Sequence, residues 1–220
     1  MPIRLVLMED VLTAGQPLTM PARPRAVFAR RGPLRVTEAG SAVVLETGAC
    51  RLFEAAISLH GPGEAWTFEL SASGSEMVVA EAERHRVILA TLIDRDPSEK
   101  VIVRADRVDF PPGAVTPKHG HKGPGIRRLI EGRLLAEIGD HVHRIDAGDA
   151  WLETGLDPVV GRNLAPTSAF VRVMVLDPAL LGEPTFIPWT PEEAARPRGT
   201  DRTLFFDTAV TIHSASHQSA

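Results

Sequence analysis

The chain has 220 residues, 44% of them hydrophobic and 24% charged, with a formal net charge of −4, so it can bury a core but lacks the basic surplus of a general nucleic-acid binder. One cysteine, Cys50, excludes an internal disulfide framework and a multi-cysteine zinc site. No apolar run approaches the roughly 18 residues of a membrane span, and the start at Met1-Pro2-Ile3-Arg4 lacks the features of a signal peptide, so a cytoplasmic location is expected.

Eighteen glycines and eighteen prolines exclude a bundle of long helices. Apolar residues come in short runs, at 42–45, 87–90 and 171–176, with Gly, Pro or Asp between them. Breaks about every eight to twelve residues are the strand spacing of an all-β sandwich or barrel. Cys50 follows Gly48 in an apolar strand and reads as a small core residue. Phe170 and Met174 read as barrel filling, and a short turn is expected at 178–181. The one clear helix signal is at 190–195: Thr190 as N-cap, Pro191 at the first position, Glu192 and Glu193 in the first turn. A last strand is expected at 203–206, and the polar end at 214–220 should fray.

The chain repeats itself. Gly15 laid on Gly113 brings Gly32 near Gly132, Gly40 near Gly139 and Gly48 near Gly148, with matching apolar runs between them. Glycines at these spacings suit strand reversals that need a positive φ.

In the second copy, Gly113 is followed by His119-Gly120-His121, then by Gly125, Glu131 and Gly132; Gly148-Asp149-Ala150-Trp151-Leu152-Glu153 comes later and Asn163 after that. This pattern resembles the two signatures of the cupin family, over residues 100–177 directly and over 10–72 through the repeat. The resemblance implies a bicupin: two double-stranded β-helix (jelly-roll) barrels with a short C-terminal helix and strand, divided as 1–95, 96–182 and a 183–220 extension. It also implies a divalent-metal site at His119 and His121, for Fe, Mn, Ni, Cu or Zn. Two further family ligands are missing: Gly125 stands at the Glu position, and Pro158 or Val159 at the second His position. Pro21 and Arg23 replace the histidines in the first copy, which should therefore hold no metal.

Alternation along strands supplies the rest. Residues i and i+2 share a face, so His119 and His121 can approach one ion from one wall. A working site needs a third ligand. Glu153, on the same face as Trp151, is the internal candidate for ligand or general base; otherwise it is a strand-end carboxylate paired with an arginine. Arg127 would enter the cavity and grip a carboxylate, or else sit at the rim in an ion pair, and Arg128 should face away. Trp151 either packs the core or lines the ligand site. His141 and His143 flank a hairpin turn and should face solvent, while His60, His85, His213 and His217 have no suggestive spacing.

Two functions remain open. One is a metal-dependent enzyme acting on a small anionic organic molecule by dioxygenase, isomerase, decarboxylase or lyase chemistry; the other is a non-catalytic small-molecule binder or sensor that has lost the full metal site. A structural or storage bicupin fits less well with so short a chain and no disulfides. The expected partner is a small molecule, with no nucleic acid and no membrane, and a homodimer as one open arrangement. No Gly-rich phosphate loop is present, so no nucleotide cofactor is expected.

Overall fold

A computed structural model describes residues 1–75 and 84–212. The expected frayed end at 214–220, with His213 and His217, lies outside the described residues. The chain divides into two compact units, Met1–Lys100 together with the segment from Val210, and Val101–Ala209.

The first unit is built from β1 (Ile3–Leu12), β2 (Leu18–Met20), β3 (Arg25–Arg31), β4 (Leu34–Glu38), β5 (Ser41–Leu45), β6 (Cys50–Phe53), β7 (Ile57–His60), β8 (Gly63–Ala72) and β9 (His85–Ile93). They form one sheet in the order β6-β3-β8-β1-β9 and another in the order β2-β7-β4-β5. The second unit repeats this plan with β10 (Lys100–Phe110), β11 (His119–His121), β12 (Gly125–Glu131), β13 (Arg133–Ile138), β14 (His141–Asp146), β15 (Ala150–Glu153), β16 (Val159–Asn163), β17 (Ser168–Leu176), β18 (Phe186–Pro188) and β19 (Asp201–Thr211). Its sheets run β15-β12-β17-β10-β19 and β14-β13-β16-β11-β18. Strands β10 to β17 thus occupy the places of β1 to β8.

The repeat extends to detail. Gly15, Gly32, Gly40 and Gly48, and their partners Gly113, Gly132, Gly139 and Gly148, all have positive φ. A bulge falls between Ala29 and Arg31 in β3, and another between Leu129 and Glu131 in β12.

Strand alternation places the cores. In the first unit Val27, Leu34, Val36, Phe53, Ile57 and Leu59 belong to one buried cluster. In the second, Val108, Phe110, Leu129, Leu134, Ile145 and Phe170 do the same. Every residue of the central strand β17 is buried, as its Val-rich sequence allows when both faces of a strand are covered.

Residues 183–209 cluster with the second unit, while the segment from Val210 clusters with the first. Phe186–Pro188 pairs with β11, and Asp201–Thr211 flanks β10, covering an edge that would otherwise be open. Between them lies the short helix α1 (Pro191–Ala194), capped by the Thr190 hydroxyl, and before them a 3₁₀ turn at Pro178–Leu180. Cys50, expected in the core, is only half-buried at the start of an edge strand.

Glycine is required for different reasons at two of these reversals. A Cβ on Gly132 (φ +83°) would lie 2.2 Å from the Thr167 carbonyl oxygen, whereas one on Gly48 (φ +86°) would meet nothing within 4 Å. Gly48→Ala is therefore expected to cost about 1–2 kcal/mol, from the left-handed backbone alone. Gly132→Ala should cost about 2–5 kcal/mol, because overpacking is added. Urea denaturation compares the two; equal losses would show that the Thr167–Ser168 wall can move aside.

Candidate functional site

The inner face of the sheet β15-β12-β17-β10-β19 is organised in rows by strand register. Leu129 lies opposite Phe170, and Phe170 opposite Val108, forming an apolar floor. The next row reads Trp151, Arg127, Arg172, Asp106 across four strands. The row beyond it reads Glu153, Gly125, Met174, Arg104. The second sheet supplies His119 and His121 from β11, Val159 and Gly161 from β16, and Phe186 from β18. Together they enclose a cavity of about 330 Å³.

The middle row is a belt of paired charges. Arg172 donates through Nε and Nη2 to the two oxygens of Asp106, at 2.9 and 2.7 Å, and Arg202 adds Nε to the same carboxylate at 2.8 Å. Arg127, fully buried, places Nη2 2.7 Å from Glu153 Oε2. Trp151 Nε1 donates to Glu153 Oε1 at 2.9 Å, and His121 Nε2 lies 3.3 Å from Oε2. Nearer the mouth, Arg104 bonds Asp207 at 2.6 Å and the Glu183 and Leu180 carbonyls.

These neighbours set the ionisation of the site. Burial pushes Glu153 up, but the Arg127 guanidinium and the contacts from His121 and Trp151 together outweigh it and hold the carboxyl well below the usual range. Asp106 is likewise held low, the Arg172 and Arg202 guanidiniums overcoming its burial. Burial lowers Arg127 to about 10 and His121 to about 4, and also lowers His119. Both imidazoles are therefore neutral near pH 7. His119 donates Nδ1–H to the Pro117 carbonyl at 2.8 Å, and its ring stacks on Phe186 at 4.3 Å. Its tautomer and plane are fixed.

His119, His121, Arg127, Trp151 and Glu153, the five candidates from the sequence, all line this one cavity. Arg128 takes the other face of β12 and donates to the Gly148 carbonyl. His141 and His143 are exposed on β14.

The donor set does not fit a divalent cation. Glu153, the candidate third ligand, is committed to Arg127 and Trp151. Arg172 Nη1 approaches His121 Nε2 to 3.5 Å, so fixed positive charge stands where an ion would sit. Gly125 cannot be replaced by the missing Glu in place, since its Cβ would lie 2.6 Å from the Val173 carbonyl oxygen. Among the described residues, no three His, Cys, Asp or Glu side chains are grouped to hold a metal. Glu153 is also a weak base, because the Arg127 guanidinium keeps it ionised.

Reading the sequence alone misses Arg104, Asp106, Arg172, Arg202, Asp207 and Phe186. A signal is present for one of them: Arg172 is the single charged residue in the otherwise mostly apolar β17. His85 is missed as well. It is buried in the first unit against Asp10, which in turn accepts from Thr67, and nearby Glu69 pairs with Arg23 and Arg25 at 2.6 and 2.7 Å.

His85 and His121, both buried, should titrate in opposite directions. His85 is raised above its ordinary 6.5: burial opposes this, but the bond to Asp10 and the negative charges of Asp10 and Glu69 together prevail. Its contribution to stability is complete below about pH 6.5 and is lost as pH rises through the folded value. The contribution of His121 is complete above about pH 6.5 and is lost as pH falls towards 4, because the unfolded chain takes up the proton first. Imidazole NMR titration checks both; a His121 that titrates at or above 6.5 would contradict its burial beside the guanidiniums.

No family model matches the sequence, and no curated protein matches it. Among solved structures, the chain is similar to AerE from Microcystis aeruginosa, at TM-score 0.56 and 12% identity over 80% of this chain and 87% of that one. It is also similar to a cupin 2 conserved barrel domain protein from Leptotrichia buccalis, at TM-score 0.51 and 10% identity over 79% and 84%. Salicylate 1,2-dioxygenase from Pseudoaminobacter salicylatoxidans, in a mutant form, matches at TM-score 0.52 and 11% identity over 92% and 74%. The two units share one strand order, and that order is the double-stranded β-helix: the chain has the cupin fold, with one barrel in each unit.

Proposed function

We propose that the second barrel binds a small organic anion and works as a binding or sensing site with no resident transition metal. The observation that carries this reading is a charge imbalance. Four guanidiniums, on Arg104, Arg127, Arg172 and Arg202, share three carboxylates, on Asp106, Glu153 and Asp207. Both histidines are neutral, so one positive charge is left over, and it falls on Arg202, which shares Asp106 with Arg172 and is partly exposed at the cavity. Arg198, packed 4.3 Å over the Phe186 ring, and Glu183 also line the cavity and offset each other, so the excess stays at one positive charge. A cleft with an excess of one sign of charge above low-dielectric walls attracts the opposite charge, and an organic anion supplies it.

The metalloenzyme reading keeps one observation in its favour. With Nδ1–H given to a backbone carbonyl, His119 presents an Nε2 lone pair, the arrangement that ligating imidazoles use. The same lone pair serves as a hydrogen-bond acceptor for a ligand hydroxyl. The guanidiniums beside it favour the second use.

Metal analysis of protein purified without a histidine tag separates the readings. Calorimetric titrations with Mn²⁺, Fe²⁺, Ni²⁺, Cu²⁺ and Zn²⁺ are expected to give no difference between wild type and a His119→Ala, His121→Ala double variant. A stoichiometric ion lost from the double variant would overturn the proposal. Benzoate, as a probe anion, is expected to bind wild type and to lose about tenfold to a hundredfold in affinity in Arg172→Gln, the range for a hydrogen bond to a charged group. Arg172→Lys, which keeps the charge, should recover part of that loss.

A further inference from the structure

We infer that the ligand is a monocarboxylate with an apolar body, bound apolar end first; this deepens the anion-binding reading above and rests on it. The cavity is graded along the strands. Its deep end is walled by Val108, Phe110, Leu134, Ala136 and Phe170, all buried and apolar. The belt comes next, and the mouth carries Arg104, Arg198 and Arg202.

A carboxylate therefore finds its cations only at the belt or above it. Below the belt, the polar side chains of the cavity are already engaged. The Thr116 hydroxyl accepts from the Gly161 N–H at 2.8 Å, and the Trp151 N–H is given to Glu153. A second carboxylate driven to the floor would be buried without a partner, at a cost larger than the gain from its methylenes. An alkyl or aryl group placed there loses water and gains contact with Phe110 and Phe170, whose rings lie 5.9 Å apart.

Size sets the scale. A cavity of about 330 Å³ is at the small end of ligand pockets, which run from about 300 to 1,000 Å³. That suits a small acid such as hexanoate or benzoate.

Calorimetry with acetate, butanoate, hexanoate and benzoate, against succinate and adipate, tests the inference. Affinity is expected to rise roughly fourfold per added CH₂ from acetate to hexanoate, the value for burying a methylene at about 0.8 kcal/mol. Adipate, which puts a second carboxylate at the end of the same six-carbon chain, is expected to bind no more tightly than acetate. Ala136→Val, which narrows the floor, should shift the preference towards shorter acids. If the diacids bind as tightly as the monoacids of equal length, or if affinity does not rise with chain length, the class is wrong while the anion-binding reading stands. If no acid in the series binds, both fall.

Discussion

A guanidinium buried inside a β-barrel is costly unless a carboxylate or carbonyl is held within hydrogen-bonding reach, and the second barrel contains two arginine–carboxylate pairs side by side, with Arg104 and Asp207 as a third. Arg172 is matched to Asp106 across one strand pair, and Arg127 to Glu153 across another. Register makes this arrangement. Residues 127, 172 and 106 share one row, and Glu153 projects from the row above, opposite Gly125. Because Gly125 has no side chain, Glu153 has the space to reach Arg127. Removing one member of such a pair typically costs about 3–5 kcal/mol, since the other charge is left buried. The belt therefore ties the identity of the site to the integrity of the barrel.

The same architecture has been filled differently in the two units. Arg25 pairs with Phe53 in the first barrel, at the places that Gly125 and Glu153 hold in the second. There the arginine is fully buried on Glu69, and Phe53 joins the apolar cluster. In the second barrel a glycine and a carboxylate stand instead, the interior stays open, and unmatched positive charge faces the cavity. Two exchanges at one register pair, Gly125 for Arg25 and Glu153 for Phe53, remove bulk from the second interior.

Much of this is legible in the sequence. Glycine spacing reveals the repeat because reversals with positive φ restrict the residue type, whatever the surroundings. Period-two alternation brings His119, His121, Arg127, Trp151 and Glu153 to one cavity because inward and outward positions follow from backbone geometry alone. What alternation does not give is the partner of each inward charge. Glu153 is equally readable as a ligand or as an ion-pair acceptor until β12 and β15 are placed in register. Asp106 and Arg172 lie 66 residues apart, and their pairing depends on long-range strand order. His85 is invisible for the same reason, its partner Asp10 being 75 residues away. The strands beyond residue 182 read as an extension because their pairing partners, β10 and β11, lie far back in the chain.

The central claim is that the second barrel presents cationic charge above an apolar floor and that this gradient orients an acid. A crystal structure with bound 4-bromobenzoate, read by bromine anomalous scattering, tests it most directly. The account predicts a bromine peak at the floor, among Phe110, Leu134 and Phe170, with the carboxylate on the Arg172 side of the cavity. Bromine at the mouth with the carboxylate inward, or an anomalous metal peak between His119 and His121, would contradict it.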